Sequence, residues 1–270
     1  MSNQKVWFIT GASRGFGRLW TEAALKRGDK VVATARDTKS LQDLAAEYGP
    51  SVLTLPLDVT DHEAVFKVVK QALKHFGRLD VVISNAGYGL MGALEEASMT
   101  EARANFETNV MGTLSVIQAV LPILRAQGSG HILPVSSVGG LVTFPLGGIY
   151  QATKFAVEGM SQTLAQEVAA FGIKVTIIEP GPFATEFLSQ SSIRYCAPIP
   201  VYDPMRKQFE TMLTPDMFGD PKDTVEPVFA AVDADEPPLH LLLGTLLPLV
   251  DQVYGERMAT WEKWTRVSNS

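Results

Sequence analysis

The sequence predicts an α/β fold: a doubly wound, seven-stranded parallel sheet with helices on both faces. Three observations carry this expectation. Short runs of apolar and β-branched residues alternate with amphipathic stretches of ten or more residues, the rhythm of strand and crossover helix. The runs are continuously apolar, as strands buried on both faces are, where half-exposed strands would alternate. Hydrophobic residues make up 46% of the 270, enough for one large core.

In chain order, VWFIT (Val6–Thr10) is the first strand, and FGRLWTEAALKRG (Phe16–Gly28) the helix after it. KVVATA (Lys30–Ala35) and VLTLPL (Val52–Leu57) are the second and third strands. DHEAVFKVVKQALKHFG (Asp61–Gly77) is a second clear helix; like the first it closes on glycine, a helix stop. DVVISNA (Asp80–Ala86) follows as strand four, then the apolar helix NVMGTLSVIQAVLPIL and strand five, HILPVS (His131–Ser136). KVTIIEP (Lys174–Pro180) and LHLLL (Leu239–Leu243) complete the seven. With no repeat or linker, residues 1–270 read as one domain. A proline-, serine- and aromatic-rich insertion at about 182–238 is expected to cover a site at the carboxyl end of the sheet.

The net charge of −6 argues against nucleic acid or an anionic membrane as the main partner. The single cysteine, Cys196, excludes an internal disulfide framework and fits a reducing cytosol. Only five apolar-type residues precede Gly11, too few for a secretory segment, and LHLLLGTLLPLV (Leu239–Val250) is too short and broken to span a membrane. A cytoplasmic protein is the expectation. His62, His75, His131 and His240 have no metal-ligand spacing with cysteine or with each other, so no metal is expected.

TGASRGFG (Thr10–Gly17) joins the first strand to the first helix. Gly11 suits a tight turn, Gly15 close approach of a ligand, and Gly17 close helix–strand packing; the helix N-terminus would then face an anion such as a pyrophosphate. An NAD-binding fold places an acid at the end of the second strand for the ribose hydroxyls. Here Ala35 stands there, followed by Arg36, with Arg14 in the glycine loop. Two guanidiniums suit a 2′-phosphate and hence NADP, although Asp37, one step further, would favour NAD if it reached the ribose. In GGIYQATKFAVEG (Gly147–Gly159), Tyr150 and Lys154 share a helix face at i,i+4.

The spacing Thr-Gly-x-x-x-Gly-x-Gly resembles the short-chain dehydrogenase/reductase family in its compact, single-domain branch, and the match runs from Val6 to about Thr185. The resemblance implies a Rossmann-type fold in which Ser13, Arg14 and Phe16 join Gly11, Gly15 and Gly17 against the dinucleotide. LDV matches the element that faces the adenine, giving Asp58 and Val59 that role. SNAG keeps Asn85, Ala86 and Gly87 of the family's Asn-Asn-Ala-Gly, with Ser84 in place of the first Asn. PGPFAT matches the segment holding the nicotinamide carboxamide: Pro180, Gly181, Phe183 and Thr185. Tyr150 and Lys154 match the family's catalytic pair, and its serine, thirteen residues earlier, selects Ser137 over Ser136. ETNVMGT resembles the segment of a fourth member, Asn109, implied to position a water between Lys154 and solvent.

These residue types suit ketone reduction. A hydride must reach carbon and a proton oxygen; a phenol of pKa ~10 is a weak acid-base at neutral pH, and a nearby ammonium lowers that value. Lys154 would do so while also holding the nicotinamide ribose, and Ser137 would hydrogen-bond the substrate oxygen. Val138, Phe144 and Leu146, with Phe187, Tyr195 and Tyr202 from the insertion, are expected to line a pocket for an apolar ketone or secondary alcohol. The GFGR loop and long tail are similar to those of hydroxysteroid and retinol dehydrogenase-like reductases. Helices around Asn109–Leu124 and Ala156–Ala170 resemble the family's subunit contacts, implying a homodimer or homotetramer; in a monomer, VYGERMATWEKWTRV near the C-terminus would cover one of these faces. A cofactor-sensing regulator on the same fold and an epimerase or dehydratase using the same tyrosine are the alternative readings.

Overall fold

A computed structural model describes residues 4–184, 192–212, 214 and 217–268. Its strands are β1 (Val6–Ile9), β2 (Lys30–Ala35), β3 (Val52–Pro56), β4 (Val81–Ser84), β5 (Gly89–Met91), β6 (Gly130–Pro134), β7 (Ile173–Val175), β8 (Ile177–Pro180), β9 (Ile193–Tyr195) and β10 (His240–Leu243). Its helices are α1 (Gly15–Lys26), α2 (Gln42–Tyr48), α3 (His62–Phe76), α4 (Met99–Phe106), α5 (Gly112–Gln127), α6 (Gly148–Val168), α7 (Asp203–Met212), α8 (Val225–Asp233) and α9 (Leu247–Ser268).

The central sheet has six parallel strands in the order β3-β2-β1-β4-β6-β7. Chain direction across the sheet reverses between β1 and β4, so their carboxyl ends open a crevice, the place where such folds take ligands. Successive side chains of β1 enter opposite cores, which explains the continuous apolar run. Val6 and Phe8 pack with α3 and α5, through Val65, Val69, Val116 and Val120. Trp7 and Ile9 pack with α1 and α8, through Trp20, Ala24, Val228 and Val232.

The expected seven-stranded sheet is therefore six-stranded, and the reason lies at Thr176. The predicted sixth run breaks there: the buried Thr176 hydroxyl donates to the Pro238 carbonyl at 2.7 Å and lies 2.8 Å from Nε2 of His131. Beyond the break, β8 pairs in parallel with β10, and only a single bridge between Val135 and Ile178 links it back to the β6 side.

The insertion is less irregular than its composition implies. It contains β9, α7 and α8, and β9 pairs in parallel with β5, so the insertion is anchored beside the end of β4. Helices α4 and α5 form one continuous helix, Met99–Gln127, joined by a π turn over Glu107–Met111. By length and composition this is the one described helix that could cross a membrane, but 56% of its apolar window is buried, Val116, Val120 and Leu124 among the core residues. Only the start of α9 packs on the body, where Leu249, Val250 and Val253 meet Val138, Leu141 and Val142. Further along, Trp261 and Trp264 are 58% and 57% exposed.

Candidate active site

The crevice is shaped first by main chain. Gly11 has φ +67°, and a Cβ on Gly17 would lie 2.4 Å from the Gly11 carbonyl oxygen, so a larger residue at Gly17 would force the loop away from α1. The end of β4 braces this loop. The Asn85 amide donates to the Thr10 and Gly11 carbonyls at 3.0 and 3.1 Å, and the Asn85 and Ala86 N–H groups donate to the Thr10 hydroxyl at 3.0 Å each. Gly15 opens α1, and a Cβ there would meet nothing within 4 Å. Open space at a helix N-terminus with no acidic residue in its first turn suits a pyrophosphate. Phe16 meets Phe183 edge-on at 5.5 Å and stacks on Trp20 at 5.3 Å, joining the loop to the chain after β8.

At the end of β2, Ala35 is buried and Arg36 exposed. Asp37 is committed locally: its carboxylate accepts from the Lys39 N–H at 2.9 Å and caps the following turn. Asp58 likewise accepts from the Thr60 N–H and hydroxyl at 3.0 and 2.8 Å. Ser13, Arg14, Arg36, Asp58, Val59 and Gly87 line the same cavity, of about 1210 Å³.

Of the four residues expected to be catalytic, Ser137, Tyr150 and Lys154 line that cavity, and Asn109 lies behind its wall. Ser137 follows the end of β6 in extended conformation; its oxygen accepts from the Gly139 N–H at 3.1 Å, and its hydroxyl also bonds the Tyr150 phenol. Tyr150 and Lys154 lie in the first two turns of α6, with the ammonium 5.6 Å from the centre of the phenol ring. Lys154 is buried and donates to the Val135 carbonyl at 2.9 Å. Asn109 is placed by the π turn. Its Oδ1 accepts from the Tyr88 N–H, and its Nδ2 donates to the Tyr88 carbonyl and the Thr153 hydroxyl, all at 3.0 Å. The polar side chain that looked costly inside an apolar helix thus has partners at both Oδ1 and Nδ2.

The electrostatics differ from the sequence expectation. Burial pushes the Tyr150 phenol up to about 12, outweighing the Ser137 hydrogen bond, and pushes Lys154 down to about 8 against the field of Glu158. The phenol is therefore protonated at neutral pH, the state from which a proton can be given.

Beyond Tyr150 the cavity becomes apolar. Val138, Phe144, Leu146 and Tyr195 line it, as do Pro180, Gly181 and Phe183. Leu146 adopts φ +65°, an uncommon conformation for a branched residue, and its carbonyl accepts from the Gly92 N–H at 2.6 Å. Tyr202 lies elsewhere, in a shallower adjoining depression, with its hydroxyl donating to Glu95 at 2.7 Å. Thr185 and Phe187 lie outside the described residues. Met91, Phe209, Leu246 and Val253 complete the wall without having been expected. Of these, Leu246 alone lay in a segment whose apolar character stood out in the sequence. The Glu96 carboxylate, its side chain fully buried, accepts from Arg206 at 2.7 and 2.8 Å and from the Ile199 and Ala93 N–H groups at 2.6 and 2.7 Å, tying α7 to the loop after β5.

Residues 5–194 match the short chain dehydrogenase family. The oxidoreductase BOA17 of Botryotinia fuckeliana is 41% identical, over 98% of each chain. A 3-ketodihydrosphingosine reductase of Bacteroides thetaiotaomicron is 40% identical over 70% of this chain and 68% of its own. A crystal structure of a short-chain dehydrogenase from Streptomyces avermitilis superposes with a TM-score of 0.92 at 38% identity, covering 100% of this chain and 98% of that one. Neighbours carry either nucleotide. One from Burkholderia phymatum holds NAD, with a TM-score of 0.83 at 26% identity, covering 96% and 95% of the two chains. An alcohol dehydrogenase from Thermococcus sibiricus holds 5-hydroxy-NADP, with a TM-score of 0.76 at 28% identity, covering 90% and 97%.

Proposed function

The chain belongs to the short-chain dehydrogenase/reductase family of oxidoreductases, and from that premise we propose that it reduces an apolar ketone or aldehyde to an alcohol, reversibly, with NADP(H). The observation that carries this reading is a single cavity with a glycine loop at one end, an apolar wall at the other, and Ser137, Tyr150 and Lys154 between them. The open space beside Gly15 and the donors at the start of α1 fit a dinucleotide. Bound there, it would supply the hydride.

The protein's own residues do the rest. The Tyr150 hydroxyl donates its proton to the carbonyl oxygen, and the Ser137 hydroxyl hydrogen-bonds the same oxygen as negative charge develops. Lys154 brings a positive charge beneath Tyr150 and binds the nicotinamide ribose. Asn109 positions a water between Lys154 and solvent, a reading supported by the approach of Asn109 Oδ1 and Lys154 Nζ to the same side of Gly87. Arg14 and Arg36 favour NADP, supported by Ala35 where an acid would sit and by the occupation of Asp37 in a cap. The insertion covers an apolar substrate, a reading in line with the 3-ketodihydrosphingosine in the name of the Bacteroides relative. A cytoplasmic location fits a lone, buried Cys196, and we place subunit contacts on the outer faces of α5 and α6, in a homodimer or homotetramer.

NADPH consumption across a panel of aliphatic ketones, aldehydes, steroids, retinal and acyl thioesters tests the proposal. Turnover confined to the apolar carbonyls is the expected result. Tight NADPH binding without turnover of any of them would overturn it in favour of a cofactor sensor.

A further inference from the structure

One buried acidic cluster is left unexplained by the reaction above. Glu158 follows Lys154 by one helical turn on α6 and Tyr150 by two, so all three share a face. It is 3% exposed, and neither carboxyl oxygen has a partner in good hydrogen-bond geometry, although the Ser136 and Gln162 side chains stand close. Glu179 of β8, 1% exposed, faces it. His240 of β10 closes the group, with Nδ1 2.6 Å from Glu179 and 3.8 Å from Glu158; its side chain is 45% exposed, so the cluster reaches solvent. The turn after Ser137 forms the roof: a Cβ on Gly140 would lie 2.6 Å from the Ser136 hydroxyl and 3.0 Å from Glu158 Cγ.

Two adjacent buried carboxylates are costly, and a well-packed apolar pair would be at least as stable. A shared metal ion does not account for them. Ligands at ~2.0–2.1 Å around a tetrahedral ion stand about 3.3 Å apart, whereas the His240–Glu179 contact is a hydrogen bond. The charged groups facing Glu158 are Glu179 from β8, His240 from β10 and Lys154 from its own helix.

Resting on the proposed carbonyl reduction, we propose that Glu158 is a positioning residue: its carboxylate, buried beside Glu179 and the surface imidazole of His240 and one helical turn from Lys154, maintains the positive charge of Lys154. Burial works against that charge, drawing Lys154 down to about 8, and Glu158, itself raised to about 7, opposes the fall. Ionised Glu158 therefore extends to higher pH the range in which Lys154 is an ammonium. Because protonated His240 favours ionised Glu158, and its ring holds Glu179 by a hydrogen bond, its replacement has a weaker effect of the same sign.

The test is the pH profile of kcat/KM for ketone reduction. Glu158→Gln is expected to move the alkaline limb down by about one pH unit, His240→Gln to move it less in the same direction, and Glu158→Asp to restore it. A loss of rate with unmoved limbs in Glu158→Gln and His240→Gln would overturn the proposal and leave the cluster a structural role. If Glu158→Gln fails to fold, His240→Gln and Glu158→Asp decide by the same criterion. If the wild type turns over no carbonyl, the functional reading fails separately. The Lys154 pKa, followed by side-chain NMR in wild type and Glu158→Gln, then decides, and equal values would overturn the proposal.

Discussion

The nucleotide end of the cavity is walled mainly by main chain, the substrate end mainly by side chains. At the first, the Gly11 and Gly17 backbones, the Asn85 brace and the start of α1 fix the shape, and few substitutions preserve it. At the second, Phe144, Leu146, Tyr195 and Phe209 meet across three separate segments, held by the short β5–β9 pair and the Glu96–Arg206 ion pair. A wall of main chain commits the protein to one class of ligand, while a wall of side chains can be altered without disturbing the sheet. The proposed catalytic groups Ser137, Tyr150 and Lys154 sit at the join.

This contrast can be broken in graded ways. Removing a group at the join has the largest expected effect: Ser137→Ala should lower kcat by about 10²–10³ with little change in NADPH Kd, measured by steady-state kinetics and cofactor titration. At the nucleotide end, Arg36→Asp should lower the NADPH/NADH ratio of kcat/KM by about 10–100-fold, and an unchanged ratio would reject the NADP assignment. At the substrate end, Arg206→Ala leaves Glu96 buried with only its main-chain partners. It should raise KM for an apolar ketone about tenfold while kcat and NADPH affinity hold, so a change in NADPH affinity would contradict the division drawn here.

The smallest effect at neutral pH concerns the scaffold common to both ends. His131 is 4% exposed, and burial lowers its pKa from 6.5 to about 3. Between those values the unfolded chain takes up a proton that the folded chain refuses, so stability falls as pH falls, by up to about 1.4 kcal/mol per pH unit. Thermal melting from pH 7 to pH 4 should show this slope, and His131→Gln should flatten it.

The same contrast decides what could be read from the sequence. Gly11, Gly17, Asn85, Ser137, Tyr150 and Lys154 were legible because each is fixed by local spacing to the end of a strand or the start of a helix. Asn109 stood out in the sequence as a polar residue in an apolar helix, but the π turn and the Tyr88 backbone that satisfy it were not legible, since no sequence period marks one extra residue in a helical turn. The break at Thr176 depends on a hydroxyl that bonds Pro238, 62 residues away. The β5–β9 pair consists of two three-residue strands, too short to show a period, and the Glu96–Arg206 pair spans 110 residues. Tyr202 illustrates the same limit: composition marked it for the pocket, but the turn at Pro200–Tyr202 carries it to Glu95 outside.

The central claim is that Tyr150 gives the proton while the nucleotide end binds independently of it. Tyr150→Phe, assayed for reduction of the best apolar ketone alongside NADPH titration of the same sample, tests this most directly. Reduction should be abolished with NADPH affinity within about twofold of the wild type. Substantial remaining kcat at saturating NADPH would contradict it.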